Sequence, residues 1–291
     1  MEKNKGLQDD EFRVLGTGAK HPPGHQVDGN QVRKRGAWVA LAIIGLLGLG
    51  MIVFWPDNEP QEEMGVFEFR EESESFRPLD TLATASPCVV KVDTLVSGRL
   101  LTLFVPHRAS PRLAVGYLEE EADQKAVMCF QAGDIRADNK EILGDFVLAG
   151  DQLAAGTSKR GFCAIIEGIP TVGVSDNTPL LSEAIARKGY FFRQYPLVDN
   201  GEPVTNKPQN QTIRKALCAW KGHVLVAVSA DKLTLDEFAQ ALADLGVDQA
   251  IYLVGSSFAY GWSVDKDGVR AEFGSKDLRP EYRNQSFIIW E

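Results

Sequence analysis

Histidine and cysteine are scarce in this chain of 291 residues, which holds 4 of each. Only His107 and His223 fall beyond the N-terminal region, and no Cys-x-x-Cys spacing occurs. A His/Cys metal site therefore has little to build on, and neither a metal nor a cofactor is expected. The residues around Ser257 lack a Gly-x-Ser-x-Gly elbow, which with so few histidines leaves a serine-esterase triad poorly supported. There is no internal repeat, and no regular β-α-β alternation of the kind a doubly wound sheet requires. Positive charge is also short: the chain carries 31 Lys/Arg against 40 Asp/Glu, a net charge of −9. The first 35 residues hold 7 bases and 5 acids, so the remainder has 31 − 7 = 24 bases and 40 − 5 = 35 acids, a balance of −11. Such a surface disfavours nucleic acid as a partner.

One long apolar run is present. Arg33-Lys34-Arg35 precedes Ala37–Trp55, which contains no charged residue. As a helix at ~1.5 Å per residue this run is ~28 Å long, close to the hydrocarbon thickness of a bilayer. Trp38, Phe54 and Trp55 stand at its ends, where amphipathic aromatics favour the interface, and acids follow from Asp57 onward. A cleaved signal peptide would need a small-x-small site, which Phe54-Trp-Pro-Asp-Asn-Glu-Pro60 does not offer. The expected organisation is a disordered cytoplasmic tail (1–35), a transmembrane signal anchor (36–55), an acidic linker (56–80) and an exported domain (81–291). Basic residues before the run and acids after it leave the N-terminus in the cytoplasm and the domain on the periplasmic or extracytoplasmic side. Cys88, Cys129, Cys163 and Cys218 all lie in that domain. An even count in an oxidising compartment permits two disulfides, yet Cys129 and Cys163 sit in apolar runs that suit buried thiols. Both readings stand at this level.

From Pro87 onward the chain is rich in short β-prone runs bounded by turn residues. Strands are expected at Cys88–Leu95, Arg99–Pro106, Leu113–Leu118, Ala126–Gln131, Ile142–Leu148, Phe162–Glu167, Thr171–Val174, Tyr190–Val198, Ile213–Trp220, His223–Ser229, Ala250–Val254 and Ser286–Trp290. Two helices interrupt them. Pro179–Lys188 has Thr178 as its cap, Pro179 at the first helical position and Gly189 as its stop. Leu235–Leu245 carries the capping box Thr234-Leu-Asp-Glu237 and an apolar face of Leu235, Phe238, Leu242 and Leu245. The fold class is α+β: a strand-rich, mixed but mostly antiparallel sheet domain with two packed helices, preceded by one transmembrane helix.

The order of motifs then narrows the reading. A strand with an Arg-x-Ala core (Ile213-Arg214-Lys-Ala216) is followed by a second strand, a capped helix ending in Leu245-Gly246, and a strand opening into Gly255-Ser256-Ser257. Upstream lies Phe191-Phe-Arg-Gln-Tyr-Pro-Leu-Val-Asp-Asn-Gly201. From about Leu100 to Gly274 this order resembles the phosphodiester glycosidase family. The resemblance implies cleavage of a sugar–phosphodiester bond in an envelope glycan or glycolipid. Two departures stand out. Val254 occupies the place of the family's loop aspartate, and Gln131, in Phe130-Gln-Ala-Gly-Asp134, stands where an asparagine is expected. Val254 can neither transfer a proton nor stabilise positive charge, so a catalytically inactive glycan- or anion-binding module, or a structural envelope protein, is the alternative.

Chemistry assigns the candidate roles. A phosphate calls for a planar, bidentate cation, which Arg214 supplies, with Gly255 and Ser256 offering N–H donors beside it. Arg193, within the aromatic run Tyr190–Tyr195, is a candidate on a sugar-stacking surface. An oxocarbenium-like transition state calls for a carboxylate, and Asp134 at a strand end is the leading substitute for the missing acid, with Asp145 and Asp248 behind it. Ser257 is the candidate hydroxyl nucleophile.

Overall fold

Backbone amides exposed at the end of one strand need partners on another, and this chain meets that need with three antiparallel sheets. The computed structural model describes residues 86–116, 124–157, 159–275 and 283–291. The tail, the apolar run at 37–55 and the acidic linker lie outside the described residues. Among those described, no helix is long and apolar enough to cross a membrane.

The first sheet has seven strands in the order β1 (Cys88–Val96), β2 (Arg99–His107), β13 (His223–Leu233), β12 (Thr212–Trp220), β14 (Gln249–Leu253), β10 (Pro196–Asp199) and β11 (Glu202–Pro203). The second has five, β16 (Arg270–Phe273), β15 (Gly261–Val264), β4 (Met128–Gln131), β17 (Ser286–Trp290) and β3 (Pro111–Val115). The third also has five, β6 (Asp151–Ala154), β5 (Phe146–Leu148), β9 (Tyr190–Gln194), β7 (Gly161–Ile166) and β8 (Ile169–Val174). Every ladder among them is antiparallel, for example β12–β13, β12–β14 and β7–β9. Among the described residues, parallel pairing is confined to the isolated bridge Ala259↔Ser275. The α+β class therefore holds, with antiparallel sheets where a mixed sheet was expected.

Period-two alternation assigns each face of the sheets. On the third sheet, Cys163, Ile165 and Phe192 join the central core together with Leu217, Val226, Ile251 and Leu253 of the first sheet and Phe130, Ile288 and Trp290 of the second. Their neighbours Phe162, Ala164 and Phe191 face the other way and pack under α1 (Pro179–Ala186) with Ala184, Leu180 and Leu181. Helix α2 (Leu235–Asp244) packs on β10, β11 and β13 of the first sheet. Its capping box forms as the sequence implies: the Thr234 hydroxyl accepts from the Glu237 amide at 3.1 Å, and the Glu237 carboxylate accepts from the Thr234 amide at 2.8 Å.

Two expected elements change shape for local reasons. Tyr190–Val198 is broken at Tyr195, because Pro196 has no N–H for a ladder and the chain leaves β7 in the third sheet to join β14 in the first. Ile142–Leu148 shrinks to Phe146–Leu148 after Gly144, whose φ of 92° turns the chain out of extended geometry. Strands β6 and β16 escaped notice because they are mostly exposed edges without apolar alternation. Cys163 and Cys218 are thiols sealed in the core, and burial pushes both well above the ordinary thiol range. Two disulfides are therefore not the arrangement adopted.

Close approach of the first and third sheets is set at Gly161. A Cβ there would stand 2.6 Å from the Gln194 carbonyl oxygen, 2.8 Å from Ile251 Cγ2 and 3.0 Å from the Pro196 nitrogen, two of them backbone atoms. Gly161→Ala must push the sheets apart and should destabilise the domain by about 1–3 kcal/mol, read as a lower melting temperature. An unchanged melting temperature would show that the interface gives way freely.

Candidate functional site

The ends of β4, β9 and β14 meet the start of β12 at one edge of the central core. The Val254 amide donates to the Gln131 carbonyl at 3.2 Å and the Tyr252 amide to the Tyr195 carbonyl at 2.9 Å. Residues 131–134, 194–195, 213–215 and 252–258 are thereby drawn together from all three sheets.

Asp134 lies just past β4 and is partly exposed, with 16% of its side chain accessible. Its carboxylate forms an ion pair with the Lys159 ammonium, which is buried. Lys159 also donates to Gln194 Oε1 at 3.1 Å and sits 4.4 Å from the centre of the Tyr195 ring. Gln194 is itself fully buried, and its Oε1 also accepts from the Tyr195 amide at 3.0 Å. The carboxylate is thus mounted on a buried frame and reaches solvent at its outer side.

Arg214 is fully buried rather than open to a cleft. The β12–β13 register breaks between Ile213 and Lys215, and the Arg214 amide donates to the Ser229 hydroxyl at 2.8 Å instead of a ladder carbonyl. Its Nε donates to the Leu233 carbonyl at 2.8 Å, its Nη2 to the Asn210 carbonyl, and its guanidinium carbon stands 5.7 Å from the Tyr252 ring centre. Nη1 is buried and finds no acceptor among the described residues. Burial and the charge of Asp134 push the Tyr252 hydroxyl above its usual range, and Arg214 opposes the shift. Tyr252 therefore feels the charge of both the acid and the arginine.

The Gly255–Ser257 loop is less open than its sequence implies. The Gly255 amide donates to the Tyr252 hydroxyl at 2.9 Å and the Ser256 amide to the Ile213 carbonyl at 2.8 Å. Neither is available to a ligand in this arrangement. Glycine at 255 is a packing requirement, since a Cβ would come within 2.6 Å of both the Ile213 carbonyl and the Tyr252 hydroxyl. Ser257 is exposed, and His223 at the Trp220–His223 turn lies at the other end of β12 from Ile213, which holds the loop, with His107 at the end of β2. A nucleophilic role for Ser257 consequently has no base to activate it.

Arg193 is also occupied. Its Nε donates to Asp145 at 2.6 Å, Nη1 to the carbonyls of Ser175 at 2.8 Å and Lys159 at 3.3 Å, and Nη2 to the Asp176 carbonyl at 2.8 Å. It locks β9 to the loops that flank β7 and β8, and contributes to the site only by fixing the Lys159 backbone. Asp145, its partner, is buried and accepts from the Gly156 amide at 2.8 Å, so it is a structural acid. Asp248 is exposed at the far end of β14. Phe191 and Phe192 are buried, so within the Tyr190–Tyr195 run only Tyr190 and Tyr195 are half-buried, and Tyr190 packs against the core.

Sequence reasoning missed Lys159, Tyr252 and Lys215, and Gln194, read with Arg193 as part of a stacking surface, instead holds Lys159. Lys159 falls in an irregular segment without periodicity, and Tyr252 looks like an ordinary strand residue. Lys215 neighbours Arg214 but points to the opposite face. Its ammonium is buried, donates to the Ala259 carbonyl at 2.9 Å, and lies 4.8 Å from the Phe273 ring centre and 5.9 Å from that of Phe130.

Comparison with known proteins follows from this geometry. The sequence model of one family, described as phosphodiester glycosidase, matches residues 124–270. A search of curated protein sequences finds no match. Among solved structures, the catalytic domain of the zebrafish N-acetylglucosamine-1-phosphodiester alpha-N-acetylglucosaminidase, auto-inhibited by its pro-peptide, is similar at 17% identity and a TM-score of 0.48, over 70% of this chain and 82% of that one. A hypothetical protein from Synechocystis is similar at 15% identity and a TM-score of 0.47, over 70% of this chain and 62% of that one.

Loss of water around Lys215 pushes its pKa down to about 8 from 10.5. Between those values the unfolded chain holds this proton and the folded chain does not. Stability should therefore rise with pH from about 8 to 10.5, with the burial penalty fully present below that window. Lys215→Met removes the titrating group, so the dependence of unfolding free energy on pH across the window should flatten. The same slope in both proteins would contradict this placement of the ammonium. In the same way, Asp145→Ala strands the Arg193 guanidinium and should destabilise by about 3–5 kcal/mol in denaturant unfolding.

Proposed function

Because the chain belongs to the phosphodiester glycosidase family as a divergent member, we propose that it binds a sugar phosphodiester at the Asp134 edge and cleaves the bond between sugar and phosphate. One observation carries this reading. A chain that is acidic overall buries four cations, Lys159, Arg193, Arg214 and Lys215, around strand ends where Asp134 is the partly exposed carboxylate. The interior so arranged favours an anionic ligand, and the acid beside it is of the type the reaction needs. In the proposed step the anomeric C–O bond breaks and the phosphate monoester leaves with little need of a proton, while the Asp134 carboxylate stabilises the positive charge or bonds to the anomeric carbon; water then adds to that carbon, displacing the carboxylate where it has bonded, and the water's proton passes to solvent. Ser257 donates to phosphate oxygens from the loop, while Arg214 steadies Tyr252 and Gly255 beneath them.

A specific observation favours a second reading. Glycosidases of the usual kind use two carboxylates, and Val254 occupies the loop position beside this single one. Binding without turnover is the consequence if Asp134 does not suffice alone. The two separate with the full chain and the methyl diester of N-acetylglucosamine 1-phosphate. Turnover that falls by at least about 100-fold in Asp134→Asn identifies the acting carboxylate. Binding without turnover in the wild type, with hydrolysis appearing in Val254→Asp, establishes the binding module instead.

The same proposal places residues 37–55 in the membrane, the N-terminus in the cytoplasm and the domain outside, facing envelope glycans. Its support is the uncharged apolar run between Arg33-Lys34-Arg35 and the acids from Asp57 onward. Protease added outside intact cells stripped of their outer layer should digest the domain, and full protection would reverse the topology.

A further inference from the structure

We propose that Lys159 and Gln194 are positioning residues that turn one particular oxygen of Asp134, Oδ1, toward the substrate, a refinement that rests on the reading of the Asp134 site given above. A free carboxylate presents two equivalent oxygens, and rotation about its last side-chain bond exchanges them. A reacting group has to be held still, because a misplacement of about 1 Å costs about 100-fold in rate.

The contacts of Asp134 distinguish its two oxygens. Oδ2 accepts from the Lys159 ammonium. Oδ1 has no hydrogen-bond partner among the described residues, and it is not one of their buried unpartnered atoms. It therefore reaches water, in keeping with a side chain that is 16% accessible. The main chain is fixed on both sides of the carboxyl group. The Ala132 amide donates to the Ser286 carbonyl at 2.9 Å, the Gly133 amide donates to the Ser286 hydroxyl at 2.9 Å, and the Asp134 carbonyl accepts from the Leu143 amide at 2.9 Å.

Lys159 can hold Oδ2 because it is itself held. Its side chain is sealed from solvent, and an ammonium has three N–H groups to place. One goes to Asp134 and one to Gln194 Oε1 at 3.1 Å, and the Tyr195 ring centre lies 4.4 Å away. Gln194 is fully buried and fixed at both ends of its amide. Its Oε1 also accepts from the Tyr195 amide at 3.0 Å, and its Nε2 donates to the Ala132 carbonyl at 3.4 Å. That last bond returns to the segment that carries Asp134, so the ends of β4 and β9 brace the carboxylate between them. Buried as it is, Lys159 acts on a substrate through Asp134. In the proposed step Oδ1 faces the anomeric carbon as the C–O bond breaks and the phosphate monoester leaves. Water then adds to that carbon, displacing Oδ1 where it has bonded, and the water's proton passes to solvent.

The test is a double-mutant cycle on turnover of the methyl diester of N-acetylglucosamine 1-phosphate by the full chain. Lys159→Met replaces the ammonium with an apolar side chain and should lower kcat by about 10- to 100-fold, with KM within about twofold of wild type. Made on top of Asp134→Asn, the same change should lower kcat no further, because Lys159 acts through the carboxylate. Gln194→Met keeps the ion pair but removes the acceptor that fixes the ammonium. It should lower kcat by about fivefold with KM again held, and it decides the matter if Lys159→Met does not fold. Wild-type kcat in a folded variant overturns the positioning role. A rise in KM at constant kcat also overturns it, since Lys159 would then serve to attract the phosphate. Additive losses in the cycle overturn it as well, as an ion pair that is only structural would give them. In each of these cases the loss of turnover in Asp134→Asn leaves the Asp134 reading standing. Wild-type turnover in Asp134→Asn, or none in the wild type, removes that reading and the positioning role together.

Discussion

A protein interior does not tolerate an unpartnered charge, and this domain has to satisfy that constraint four times within a few residues of one edge. Lys159, Arg193, Arg214 and Lys215 are all buried. Two carboxylates answer them, Asp145 on Arg193 and Asp134 on Lys159, leaving 4 − 2 = 2 cations without an acid. Arg214 and Lys215 are held instead by backbone carbonyls and aromatic faces. Carbonyl dipoles and ring quadrupoles stabilise a cation without neutralising it. The strand ends converge on these groups, and the β12–β13 bulge falls at Arg214 itself, where it turns the backbone amide to the Ser229 hydroxyl. The buried cations also give an acidic chain a locally positive interior, the feature on which the proposal of an anionic ligand rests.

Arg214 and Val254 take on different meanings once this frame is in view. Arg214, expected to clamp a phosphate, is sealed beneath Tyr252 and ties together Asn210, Leu233 and the Tyr252 ring. It bears on the loop through Tyr252, whose hydroxyl accepts from the Gly255 amide. Val254, where the resemblance led to the expectation of an aspartate, has its amide on the Gln131 carbonyl, next to the Tyr252–Tyr195 backbone bond. The carboxylate at the edge comes from Asp134 on a neighbouring strand, and Lys159 keeps it in position.

How much of this the sequence disclosed depends on the range of the interaction. The Thr234–Glu237 box, Pro179 at the start of α1 and the Ser286–Trp290 strand are local and were legible, because caps and alternation operate within a few residues. Arg193 was misplaced because its partner, Asp145, is 48 residues away and no pattern near Arg193 signals it. Gly255 and Ser256 were read as open donors because their acceptors, Tyr252 and Ile213, are set by packing between strands. Lys159 carries no local signal at all. Its role exists only where β4 and β9 end side by side.

A crystal structure of the full chain with N-acetylglucosamine 1-phosphate bound tests the central claim most directly. The account requires the phosphate within hydrogen-bonding distance of Ser257 and the anomeric carbon facing the Asp134 carboxylate, with Lys159 still paired to it. A ligand bound at any other surface, or none at saturating concentration, would contradict it.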